Sequence, residues 1–334
     1  MNQPAYPAHF LPPPPGALTI GQVLDRTYML IRTNLRLLAG LAVVPSAAFF
    51  LIFGVVLAVF FVPILSQLPH QPDPENLARL FNPGAFIPLI IIITVVNGAV
   101  FSLYLAAASH AVTQADCGVK VTIRESYTVA WNRAGEYLLL LLLLYACTFL
   151  PALLIELLMF SGIGNAVSNQ AAANPALIAL IPLGMLLYFA AFVFAILVAL
   201  RLSLAFPVCV VEQLPAWPAL KRSSQLTKGA KGRIFLILLV IYAFSYLFTL
   251  VLFAILGALG GLGCLLALAL GIHLASPLGY AALTLFGICA LLGLLLYMAL
   301  SWAGYTTALA VLYRDQRLRK DGLLPASAPS GDAA

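Results

Sequence analysis

Six long apolar runs, separated by short polar connections, restrict what this chain can become. They cover about residues 37–62, 86–112, 137–160, 175–200, 234–256 and 279–300, and Glu156 is the one Asp, Glu, Lys or Arg within them. A helix rises about 1.5 Å per residue, so about 20 residues cross a hydrocarbon layer about 30 Å thick. Each run is long enough. In lipid the backbone must satisfy its own hydrogen bonds, as a helix does, and prolines such as Pro45, Pro151 and Pro182 are tolerated where neighbours cover the freed carbonyls. The expected fold class is all-α: a polytopic membrane protein with six transmembrane helices. Composition agrees, because 63% hydrophobic and 8% charged residues leave too little charge for the surface of a soluble chain of 334 residues.

The basic residues set the expected orientation. Arg26, Arg32 and Arg36 precede the first run, and Lys120, Arg124 and Arg133 separate the second from the third. Arg201, Lys221, Arg222, Lys228, Lys231 and Arg233 separate the fourth from the fifth, and Arg314, Arg317, Arg319 and Lys320 follow the sixth. Sixteen of the seventeen Lys and Arg therefore fall on one side, leaving Arg79 on the other. The positive-inside rule makes that side cytoplasmic and puts both termini there. The stretch 257–277, apolar and glycine-rich with His273, reads as a re-entrant segment, an extension of the fifth span or an interfacial loop. A full seventh span would carry the basic C-terminal segment outside. The glycines Gly257, Gly260, Gly261 and Gly263 suit close helix packing rather than a phosphate loop.

The chain divides into a disordered, proline-rich cytoplasmic tail at 1–17, one membrane domain at 18–322 and a disordered tail at 323–334. The first segment has no Lys or Arg and no apolar core of its own, so it does not read as a secretory signal. Pro12–Pro15 favour polyproline II geometry, in a disordered tail or a proline-motif ligand. The five cysteines are scattered, without disulfide or metal-ligand spacing.

Short charged segments precede the odd-numbered runs. Thr19 with Gln22 and Thr122 with Glu125 fit capping boxes, and Pro218 suits the first turn of a third helix. These starts, near Thr19, Thr122 and Ala216, divide the domain into units of about 18–115, 120–206 and 214–313. Each unit reads as an amphipathic helix, a span out and a span back. In the first, Ile20, Val23, Leu24, Tyr28 and Ile31 recur at helical spacing, as on a helix lying among headgroups. Triplication would give such a pattern; so would the common need of every hairpin for basic flanks.

Leu18–Asn34 contains L-T-I-G-Q-V-L-D-R-T, Pro218–Gly229 reads P-A-L-K-R-S-S-Q-L-T-K-G, and Leu312–Gly322 reads L-Y-R-D-Q-R-L-R-K-D-G. Together they resemble a widespread group of bacterial integral membrane proteins, the glycerophosphoryl diester phosphodiesterase membrane-domain family. The resemblance spans about residues 18–322 and implies a bacterial inner-membrane location. Phosphodiesterase activity in that family belongs to a fused soluble domain, whose His-Arg-Gly and acidic motifs are not in this sequence.

The remaining candidates are isolated polar groups. Glu156, Asn97, His110 and Arg201 are candidate intramembrane polar residues. Glu156 is either functional or reaches back to the interface; Asn97 suits an interhelical hydrogen bond or a transport path. His110 lies near the inner interface, and Arg201 reads as a phosphate contact or a gate. Asp25 with Arg26, and Asp315 with Arg314 and Arg317, could form ion pairs. Arg26, Arg32, Arg124, Lys221, Arg222, Lys228, Lys231 and Arg233 are candidate contacts for anionic lipid headgroups. No catalytic triad, nucleotide loop, metal set or cofactor motif is legible, and the net charge of +6 is accounted for by membrane flanks rather than nucleic acid. The expected function is a non-enzymatic membrane protein that contacts lipid, acts as a scaffold or joins a membrane complex, with a protein partner or a second copy. The alternative is a small-molecule or lipid transporter, with Glu156 or Asn97 along its path.

Overall fold

Local signals start the helices. In a computed structural model describing residues 18–67, 83–168, 175–269 and 276–322, α1 (Ile20–Thr33) begins at a reciprocal capping box between Thr19 and Gln22. A second box, Thr122 with Glu125, begins α4 (Ile123–Trp131), and Pro218 lies in the first turn of α8 (Ala216–Thr227). Each short helix leads into a long one: α2 (Leu35–Gln67), α5 (Ala134–Ser168) and α9 (Lys231–Ala269). The return helices are α3 (Pro83–Asp116), α6 (Pro175–Leu202) continued by α7 (Ala205–Val211), and α10 (Pro277–Asp321). The described residues contain no strand, and six helices are long and apolar enough to cross a membrane: this is an all-α, polytopic membrane protein.

Proline marks the one break in a return helix. Pro207 has no N–H and its ring crowds the carbonyl four residues earlier, at Ser203, where the chain turns before α7 starts. Pro151 and Pro182, by contrast, sit within continuous α5 and α6. The ambiguous stretch 257–277 is helical as far as Ala269, an extension of α9, and Pro277 opens α10; residues 270–275 are outside the described residues. The tails at 1–17 and 323–334 are outside them too. Helix α10 runs well past residue 300, to Asp321, and ends where Gly322 adopts the left-handed φ of 64° that closes helices.

Packing is concentrated at the basic end of the bundle. Buried residues there include Leu38, Leu41 and Ala42 on α2, Tyr137 and Leu140 on α5, and Ile234 and Ile237 on α9. Helix α3 packs against α10 there, and small residues on both are buried: Ala106, Ala107, Ala108 and Ala111 on α3, and Ala299, Ala303, Thr307 and Ala310 on α10. Small side chains let backbones approach, which matters in lipid because burying apolar surface gives little extra gain there. The Tyr104 and Thr306 hydroxyls are hydrogen-bonded at 3.2 Å across this contact, beside Trp302.

Towards the other end the same helices expose large side chains: Leu51, Leu157, Met185, Phe244 and Leu285 are each more than 60% accessible. The glycine run belongs to this half. A Cβ at Gly260 would lie 3.0 Å from the Phe286 ring, but among the described residues nothing lies within 4 Å of a Cβ at Gly257, Gly261 or Gly263. Close packing therefore accounts for Gly260 alone, a correction to the sequence expectation.

Candidate functional site

Three carboxylates, one at the end of each return helix, organise the basic end. Asp116 closes α3, Glu212 follows α7 and Asp315 lies near the end of α10. Asp116, 6% exposed, accepts from Arg26 Nε of α1 at 2.8 Å and pairs with Arg314 of α10. Asp315 is fully buried; its Oδ1 accepts the Leu18 N–H at 2.7 Å, and its Oδ2 pairs with Arg233 and with Arg319 at 3.0 Å. Both guanidinium groups also donate to the Leu18 carbonyl, each at 2.6 Å. The start of α1 is thus held to the ends of α9 and α10 by charge-assisted hydrogen bonds, which are stronger than neutral ones.

Glu212 joins the third short helix to the same end. It accepts from Arg222 Nε at 3.3 Å and from the Tyr313 hydroxyl at 3.0 Å, while Arg222 also pairs with Asp321. Burial alone would pull the Arg222 pKa down; Glu212 and Asp321 more than offset it and hold the guanidinium above its usual value. Beside Asp116, the Cys117 thiol is raised, first by burial and then by that carboxylate. On α4, Tyr127 donates to the Leu41 carbonyl of α2 at 2.8 Å, and burial raises its pKa.

The pairings differ from those read in the sequence. Asp25 is exposed while its neighbour Arg26 reaches Asp116, and Asp315 takes Arg233 and Arg319 rather than Arg314 or Arg317. Adjacent residues on a helix point about 100° apart, so Asp315 pairs with Arg319 one turn along α10 and with Arg233 of α9, and Arg26 pairs with Asp116 of α3. The buried Nε of Arg317 has no hydrogen-bond partner among the described residues. The clamp itself was missed, yet it had a sequence signal. Asp116, Glu212 and Asp315 lie 96 and 103 residues apart (212 − 116 and 315 − 212), the interval of the short helices.

Of the proposed headgroup contacts, Arg26, Arg222 and Arg233 are thus engaged by carboxylates. Arg32, Arg124, Lys221, Lys228 and Lys231 are exposed, with no ion pair among the described residues. Arg201 is exposed as well; its Nε donates to Ser224 at 2.5 Å, and its carbonyl accepts from Ser223 and Thr227, tying α8 to α6. The face of α1 carrying Val23, Thr27 and Leu30 is buried, with Ile20, Leu24 and Ile31 packed against the core and Tyr28 exposed.

The intramembrane candidates do not converge. Glu156 is exposed between α5 and α6, Asn97 is half-buried on α3, and His110 is half-buried with a buried Nδ1 lacking a partner among the described residues. A separate cavity of about 190 Å³ lies among α3, α5, α6, α7 and α10. Its wall is mainly apolar, but Ser109, Tyr145, Thr148, Ser203, Tyr305 and Thr306 contribute hydroxyls. Neither Glu156 nor Asn97 lines it. Among the described residues no group of three or more His, Cys, Asp or Glu is placed to hold a metal, and all five cysteines are free thiols.

No family model, curated protein or solved structure matches the chain. Fold and composition define an integral membrane protein with six apolar helices.

Proposed function

We propose that this chain is a non-enzymatic membrane protein of the bacterial inner membrane, with both termini cytoplasmic, that contacts anionic lipid and serves as a scaffold or subunit of a membrane assembly. The carrying observation is the division of labour among its cations. Internal carboxylates engage Arg26, Arg222, Arg233 and Arg314, while Arg32, Arg124, Lys221, Lys228 and Lys231 remain exposed at the same end. Exposed cations at a headgroup surface each attract anionic lipid by about 1 kcal/mol. Sixteen of seventeen basic residues on one side support the orientation. The motif resemblance supports the bacterial membrane setting, with no phosphodiesterase role for this chain, and the recurring helix starts near Thr19, Thr122 and Ala216 support the reading of three related units.

The test is lipid retention. Neutralising Lys221, Lys228 and Lys231 together, and sparing the clamping Arg222, is expected to lower co-purifying phosphatidylglycerol by tenfold or more; unchanged retention would refute the reading. The second reading, a transporter, is favoured by the hydroxyl-bearing cavity. Efflux of a neutral solute such as glycerol from proteoliposomes, abolished when Thr148→Phe fills that cavity, would support transport over the scaffold.

A further inference from the structure

Glu156 lies 22 residues along α5 from its start at Ala134, about 33 Å at the rise of a helix and therefore near the far surface of the hydrocarbon. The sixteen clustered cations are at the opposite end, and no ion pair to Glu156 is formed among the described residues. Its carboxylate faces a crevice of about 550 Å³ between α5 and α6, open at an exposed surface. Met185, Tyr188, Phe189 and Phe192 of α6 form the facing wall, each more than half accessible, and Gly184 carries no side chain to fill it.

A lone carboxylate beside hydrocarbon needs a cation, and the wall beside it suits an acyl chain. We propose that this crevice binds a phospholipid with a primary ammonium headgroup, its nitrogen hydrogen-bonded to Glu156 and an acyl chain along Met185, Phe189 and Phe192. A primary ammonium brings three N–H donors to the carboxylate. A quaternary one brings none and favours rings on several sides; here the rings come from one helix. The site is at the other end of the bundle from the anionic-lipid surface, so either proposal can fail alone.

The full-length protein is reconstituted in nanodiscs of equal phosphatidylethanolamine and phosphatidylglycerol, and retained lipid is counted by native mass spectrometry. Wild type is expected to retain phosphatidylethanolamine about tenfold over its N-acetylated analogue supplied in equal amount, which keeps the phosphate but lacks the ammonium, and Glu156→Gln to abolish that preference. Arg79, outside the described residues, is the one Lys or Arg that the sequence assigns to that side, and Arg79→Gln should retain lipid like wild type. No preference in wild type overturns the proposal whether or not the variant folds. So does equal retention by Glu156→Gln, a large rise in Arg79→Gln, or a basic transmembrane partner held through Glu156 in place of lipid.

Discussion

Consider Asp315→Asn, which removes one charge and almost no volume from the clamp at the basic end. The carboxylate is fully buried and binds the Leu18 amide, Arg233 and Arg319. An amide keeps one acceptor and turns the other position into a donor facing two guanidinium groups. Breaking a buried pair by removing one partner costs about 3–5 kcal/mol. The lower figure applies here, because the Arg319 side chain is 37% exposed and can return to water, while Arg233 is 18% exposed and cannot do so fully. At roughly 2 °C per kcal/mol for a chain of this size, the expected loss is about 6 °C in Tm. The control is Glu136→Gln, which breaks the more exposed Arg133–Glu136 pair, with side chains 24% and 40% accessible. Such pairs contribute about 0–1 kcal/mol, or up to about 2 °C. Unfolding followed by tryptophan fluorescence in nanodiscs distinguishes the two. An Asp315→Asn shift no larger than that of Glu136→Gln would refute the claim that the clamp stabilises this end. Combining Asp315→Asn with Arg233→Gln should cost less than the sum of the single changes, since both break one network.

Cys117 should alkylate slowly at pH 7 and faster as pH rises, because the thiolate reacts and burial with Asp116 raises the thiol pKa. Asp116→Asn removes one raising influence while Arg314 and Arg26 still lower the pKa, so maleimide labelling at pH 8 should accelerate; slower labelling would contradict that sign. Tyr104→Phe loses its bond to Thr306 and should lower stability by about 1 kcal/mol in the same unfolding assay. Thr122→Ala removes the cap of α4, costing about 1 kcal/mol, and should speed amide exchange in its first turn, around Glu125.

Six spans could be read from the sequence because each is a local property: twenty-odd apolar residues must be a helix in lipid, whatever they pack against. The capping boxes at Thr19 and Thr122 were readable for the same reason, since donor and acceptor are three residues apart. The clamp was not. Asp116 meets Arg314 across 198 residues and Leu18 meets Asp315 across 297, and neither helix announces which of its neighbours it will face. Proximity in sequence instead suggested Asp25 with Arg26, which a helix points apart. Glycine spacing misleads in the same manner: Gly257, Gly261 and Gly263 resemble a packing stripe, but among the described residues no facing side chain comes within 4 Å of their missing Cβ positions.

The two ends of the bundle therefore hold together by different physics. At the basic end, alanines on α3 and α10 bring backbones close, and buried carboxylates fix which helix ends meet. At the far end, leucines and phenylalanines face outward, where contact with lipid is nearly as favourable as contact with protein. Among the described residues the far halves have no ion pair and one close glycine approach, Gly260 to Phe286, so their spacing is set weakly by the chain and more strongly by what fills the gaps. This makes the far half the natural place for an exchangeable lipid or partner. It also predicts that lipid headgroup substitutions will alter distances between the far ends of α5 and α6 while leaving α3–α10 distances at the basic end unchanged. Spin-label distances that changed equally at both ends would show instead that the bundle moves as one rigid body.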